Sequence, residues 1–276
     1  MESSNMKPVL KIEGDNLVYA YNHNFYPDLN RFRQQTQVVT MDEYNIMCSS
    51  FTPGTLPIQK VIGGTMLKSP YDDKYYPIQD YENAVMHDKV NHIAEIARNL
   101  GVVYYRCVIQ VSSMQSRDIS VKSNGSVKDV KLDANWQQNE VSKLKSGFEM
   151  EQEFPQAAIP TVDKYQEAVL YAQAHHLDND SGTQTLLNSR KPDNNNNYLG
   201  RKKISIKLST DLNTNLDVAA NLTERSDIFN FSIDYCKAVQ IKKDISLDVY
   251  YYFAIPGKDN QEIIDMAKRD ALAYLQ

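Results

Sequence analysis

The chain has 276 residues, a net charge of −5 and a pI near 5.6; 42% of it is hydrophobic and 24% charged. That length builds a core without staples and fits one large domain or two small ones. The acidic balance argues against a nucleic-acid partner, which usually meets a basic protein.

The opening MESSNMKPVLKIEGD has no apolar core of the signal-peptide kind, and the longest apolar run, Val249 to Ile255, is too short for a membrane helix. The three cysteines, Cys48, Cys107 and Cys236, are far apart and form no CxxC pair, so neither a disulfide framework nor a zinc knuckle is expected. These features predict a protein that is cytoplasmic as synthesised.

Six of the ten prolines fall in the first 77 residues. That part predicts short strands and loops, with strands at Val9 to Ile12 and Leu17 to Tyr21 around the turn Glu13-Gly14-Asp15-Asn16. The tyrosine-rich stretch Tyr71 to Tyr81 is either a binding patch or packing beneath the next helix. That helix is predicted from about Tyr81 to Leu100, where Met86, Val90, Ile93, Ala97 and Leu100 share one face and Gly101 occupies the left-handed cap position. His92, off that face, is expected to be exposed.

A hairpin is predicted next. Val103, Tyr105, Cys107, Ile109 and Val111 alternate, and Ser123-Asn124-Gly125-Ser126 is a strong two-residue turn signal. Pairing Ser123 with Ser126 faces Ile119 with Val130, Arg117 with Leu132, Ser113 with Trp136 and Tyr105 with Leu144. Pro160-Thr161 then starts a helix whose apolar face is Tyr165, Ala168, Val169 and Ala172, with Thr161 as its cap. A polar connection comes after it, with a helical turn at Thr185 to Asn188 and a solvated loop at Asn194 to Asn197.

A second hairpin is read from residues 202 to 255. Ile204, Ile206, Leu208, Leu212, Leu216, Val218 and Leu222 are all even-numbered; after a turn near Glu224 to Asp227, Phe229 through Ile245, Leu247, Val249, Tyr251, Phe253 and Ile255 are odd-numbered. The last helix starts at Asp259, with Glu262 placed for a capping box.

The expected fold is therefore α+β: two long antiparallel hairpins forming a twisted sheet, with about three amphipathic helices covering one face. It is read as a single domain, 1–276, with a strand and loop part (1–79), two helix-plus-hairpin parts (80–155 and 160–256) and a closing helix (258–276).

Sequence chemistry is sparse. AHHLDND holds His175, His176, Asp178 and Asp180, types that suit a transition metal. Adjacent histidines on a helix diverge by about 100°, so a helix end leading into a loop is the favoured reading. No G-x-S-x-G, H-E-x-x-H, phosphate-loop or dinucleotide motif is present. Cys107 is expected to be buried and inert, and Cys236 lies on a polar strand face. No catalytic, cofactor-binding or metal residues are assigned, no cofactor is expected, and the chain is read as not an enzyme.

These exclusions leave a protein that assembles with itself or binds a partner. The residues picked for that role are Ile204, Ile206, Leu208, Ile245, Leu247, Val249, Tyr251, Phe253 and Ile255. Their alternation also matches a membrane-spanning strand, which needs about 9–11 residues. Two hairpins flanked by helices resemble the layout of gasdermin-type and perforin-type pore formers, which implies membrane insertion of the hairpins. Lys237, Lys243 and Arg117 fall on the apolar faces and oppose it, since a basic residue at mid-bilayer costs about 2–4 kcal/mol. A homo-oligomer is the expected partnership, a lipid membrane its more specific form, and nucleic acid is excluded. A soluble ring or shell subunit, and an enzyme with a metal site near His175 and His176, are the alternatives.

Overall fold

A computed structural model describes residues 6–25, 27–50, 56, 62–116, 122–123, 126–127, 138, 142, 150–192, 199–222, 229, 239 and 241–273. Two compact units are interleaved along the chain. The first takes residues 1–87, 114–133 and 209–243, and the second takes 88–113, 134–208 and 244–276. Among the described residues the fold is α+β, with seven α-helices and two four-stranded sheets.

The first unit opens with β1 (Val9–Ile12), α1 (Asp15–Asn22) and β2 (Thr36–Val39). β1 and β2 are parallel, with Val9 beside Thr36 and Ile12 beside Val39, so α1 is the crossover that a parallel pair requires. This corrects the strand expected at Leu17 to Tyr21. Gly14 is the N-cap, Asp15 complements the first turn, and Val18 and Tyr21 bury one side three residues apart. Five apolar-rich residues are too few for the period to separate helix from strand.

Next come α2 (Met41–Ser50), β3 (Thr65–Lys68) and β4 (Tyr75–Pro77), giving the sheet order β2-β1-β3-β4. α2 starts with a reciprocal capping box. Thr40 N–H donates to Glu43 Oε2 at 2.8 Å, and Glu43 N–H donates to Thr40 Oγ1 at 3.0 Å. The core of this unit is Leu10, Ile12, Val39, Tyr44, Leu56, Met66 and Tyr75. Tyr71, Tyr75 and Tyr81 are buried, so that stretch of tyrosines packs inward instead of forming a surface patch.

α3 (Tyr81–Asn99) contributes residues 88–99 to the second unit. It ends where Gly101 adopts φ +77. A Cβ at Gly101 would lie 2.4 Å from the Ala158 carbonyl oxygen, so this position excludes side chains by conformation and by space. Gly101→Ala is expected to lower stability by more than about 1 kcal/mol, read as a fall in Tm by thermal unfolding. An unchanged Tm would show that the tight turn relaxes freely.

The second unit holds β5 (Val102–Ser116) as far as residue 113, β8 (Met150–Glu153), α4 (Val162–Ala174), α5 (Ser181–Ser189), β9 (Arg201–Lys207), β10 (Ile241–Phe253) from residue 244, and α7 (Asn260–Ala273). α6 (Ser209–Leu222) belongs to the first unit. The small ladder β6 (Lys122–Ser123) with β7 (Ser126–Val127) pairs Ser123 with Ser126, as the Asn-Gly turn predicts.

Two further expectations are corrected. Tyr105 faces Gln152, eight positions beyond the predicted Leu144, so the turn register does not extend to the base of the hairpin. The even-numbered series beyond Leu208 is not a strand. Leu212, Leu216, Ala219 and Leu222 bury one side of α6. A spacing of four fits both a strand and a helix, and a segment with one β-branched apolar residue, Val218, resolves to helix. The pairings of Arg117, Ile119, Leu132 and Trp136, the turn at Glu224 to Asp227, Lys237 and Cys236 lie outside the described residues.

Candidate assembly surface

The sheet of the second unit runs β8-β5-β10-β9. β8 is antiparallel to β5, and β9 to β10. At the centre, Ala254 N–H donates to Gly101 O at 2.8 Å, while Tyr104 meets Tyr252 and Tyr105 meets Tyr251. Partners that advance on one strand as they retreat on the other make β5 and β10 antiparallel, so the whole sheet is antiparallel and its two edge strands run in opposite directions.

Strand parity assigns the faces. Ile204 faces Val249 and Ile206 faces Leu247, with Leu208 N–H bonded to Ile245 O. These residues, with Tyr251 and Phe253, are almost wholly buried, and Ile255 is half-buried. Val90, Ile93 and Ala94 of α3 pack on this face with Tyr105, Cys107, Ile206, Leu247, Val249 and Tyr251. α5 presses on β9 so closely that a Cβ at Gly182 would sit 2.6 Å from Ile206 Cγ1.

The opposite face is also covered. Ile263, Ile264 and Ala267 of α7 pack on Val103, Tyr104, Tyr252 and Ala254. Helices therefore lie on both faces of this sheet, not on one as expected. Tyr250 and Tyr252 of β10, with Ala254 just past its end, are apolar enough to carry a second layer.

Buried charges fasten this unit. Lys89 is fully buried; its Nζ donates to Asp180 Oδ2 at 2.8 Å and to Lys207 O at 3.1 Å. Asp180 also caps α5 through Thr183 N–H at 2.8 Å. Arg190 is fully buried, donating from Nε to Leu100 O at 3.1 Å and from a terminal nitrogen to Ala254 O at 3.2 Å. Burial brings its pKa down to about 10. In the first unit, Lys243 is buried and paired with Glu82, and the fully buried Lys11 meets Glu13 at 3.1 Å.

The histidines are arranged differently from the expectation drawn from sequence. His92 is buried and not exposed. It stacks on His175 with ring centroids 3.9 Å apart, and its Nδ1 is 2.9 Å from the Tyr171 hydroxyl. His176 points away, exposed, from a left-handed backbone at φ 57. Asp180, grouped with these histidines in AHHLDND, pairs with Lys89 and caps α5.

Burial pushes the Cys107 thiol up to about 12. Since the thiolate is the nucleophile, iodoacetamide at pH 8 is expected to leave Cys107 unlabelled in the folded protein and to label it in urea, read by peptide mass mapping. Labelling of Cys107 without urea would contradict the packing of α3 on β5.

Among the described residues, no strand pairs with the outer edge of β9 or of β8. On β9, the bonds Leu208 N–H to Ile245 O and Phe253 N–H to Gly200 O turn the even-numbered residues inward. The N–H and C=O groups of Arg201, Lys203, Ser205 and Lys207 therefore point outward. On β8, the bond Phe154 N–H to Val103 O turns Glu151 and Glu153 outward in the same way. All of these residues except Lys207 offer that backbone at exposed positions, and the Lys207 carbonyl is taken by Lys89. Charge at these edges was visible in RKKISIK and MEQE, but nothing in the sequence marks which strands end a sheet.

Among the described residues, no helix is long and apolar enough to cross a membrane. Comparison with known proteins gives no match to a protein family, to a curated protein or to a solved structure.

Proposed function

We propose that the protein is a non-enzymatic self-assembling protein, with the sheet of its second unit as the assembling element. The observation that carries this reading is a pair of oppositely running edges on one antiparallel sheet, both unpaired among the described residues. Unpaired strand edges are templates for further strands, and proteins that stay monomeric usually blunt them. Here the Lys207 carbonyl is taken by Lys89, and the exposed charges of Arg201, Lys203, Glu151 and Glu153 oppose pairing with an edge of like charge while admitting one of opposite charge. Sedimentation velocity of the intact chain over a range of concentrations tests the reading. A defined oligomer supports it, and a monomer throughout rejects it.

Membrane insertion is the second form of this reading, favoured by the apolar series Ile245 to Phe253 on β10. α3 covers that series, and α7 covers the other face. Insertion would need α3 to lift. Dye release from anionic vesicles is expected to stay at background for the intact chain and for a chain cut before Lys258. Leakage after the cut alone would show that α7 holds the hairpin back and would place insertion ahead of soluble assembly.

A further inference from the structure

We infer that the partner is a second copy of this chain, joined head to tail: the outer edge of β9 in one copy pairs with the outer edge of β8 in the next. This rests on the assembly reading above and adds the occupant and the register.

Direction is the first argument. β8 and β9 run oppositely, so moving one copy sideways along the sheet brings β9 beside the neighbour's β8 in antiparallel orientation. The sheet continues without a break in pattern.

Charge is the second. Arg201 and Lys203 lie on the α7 face of the sheet, where they meet Asp270 at 3.1 Å and Asp248 at 2.8 Å. Glu151 and Glu153 lie on that same face at the other edge, near Arg106 at 3.4 Å and Lys268 at 2.6 Å. A sideways repeat keeps faces aligned, so the basic pair meets the acidic pair. These intrachain pairs are between groups that are mostly well exposed, and such contacts contribute little and rearrange readily.

Register is the third. Setting Lys203 opposite Glu151 of the next copy sets Arg201 opposite its Glu153. All four turn their backbone groups outward, so each pairing exchanges two ladder hydrogen bonds and places opposite charges side by side. A two-fold dimer through β9 would also be antiparallel, but it sets Arg201 and Lys203 against themselves, and one through β8 sets the glutamates against themselves. Like charges directly opposite are destabilising, so the charges select the head-to-tail contact, which makes a ring or a filament.

Charge reversal tests this on the full chain. One variant carries E151K and E153K, the other R201E and K203E. Each alone presents like charges at both edges and is expected to associate more weakly by on the order of a hundredfold. Mixed in equal amounts they present opposite charges at every junction, and the oligomer is expected to return. Its return also shows that both variants fold, as does an unchanged circular dichroism spectrum. Variants that associate like the intact chain would overturn the edge assignment and leave the assembly reading standing. Folded variants that stay monomeric when mixed would overturn the head-to-tail pairing. A monomeric intact chain would overturn the assembly reading itself.

Discussion

Replacing Arg190 with alanine is expected to destabilise the protein by about 3–5 kcal/mol, lowering Tm by roughly 10 °C. The guanidinium lies just past α5 and reaches two other chain segments, Leu100 O just after α3 and Ala254 O just after β10. It also lies over the Phe253 ring, 4.9 Å from the centroid. Alanine leaves both carbonyls short of a donor in a dry interior and opens a void beside Phe253. Arg190→Lys is expected to recover only a fraction of the loss, because a single ammonium lacks the planar fork that reaches both oxygens. Differential scanning calorimetry of the two variants checks this. A shift of only a degree or two for Arg190→Ala would show that water or a neighbouring side chain takes over both carbonyls.

Lys89→Met is expected to cost about 3–5 kcal/mol, the range for breaking one side of a buried ion pair. The loss has two parts. Asp180 keeps its role as the α5 cap but loses its cation, and its side chain is only 14% exposed. The Lys207 carbonyl loses the donor that closes one end of the β9 edge. Pairing Lys89→Met with Asp180→Asn is expected to cost clearly less than the sum of the two single changes, since no lone charge remains. Denaturant unfolding of the four-protein cycle measures this. Strictly additive losses would mean that the two groups do not depend on each other.

Much of the fold was legible where a period runs long. α3 has 19 residues of one pattern and a glycine stop at Gly101, and β10 alternates through Ile245, Leu247, Val249, Tyr251 and Phe253. Local caps were also readable, as Thr161 shows by accepting from Lys164 N–H. Short segments failed, because Leu17 to Tyr21 offers too few residues to fix a period. α6 was misread because Leu212 and Leu216 satisfy two periods at once.

The proposed assembly surface was half legible. The apolar residues of β9 and β10 were legible from their alternation, and they form the core beneath α3. The edge residues that face solvent are charged and look like ordinary surface in the sequence. Strand order is set by long-range pairing, so only the folded sheet shows that RKKISIK and MEQE end opposite sides of it. Arg190 and Lys89 were missed for a related reason: charged residues are normally exposed, and only their carbonyl and carboxylate partners explain their burial.

Hydrogen exchange at the edge amides tests the central claim most directly. The backbone N–H groups of Arg201, Lys203, Glu151 and Glu153 are monitored in the intact chain at low and high concentration. With edge pairing, all four slow together as the oligomer forms, while the amide of Gln152, already turned toward β5, changes little. An oligomer in which these four amides exchange as fast as in the monomer would contradict assembly through the sheet edges.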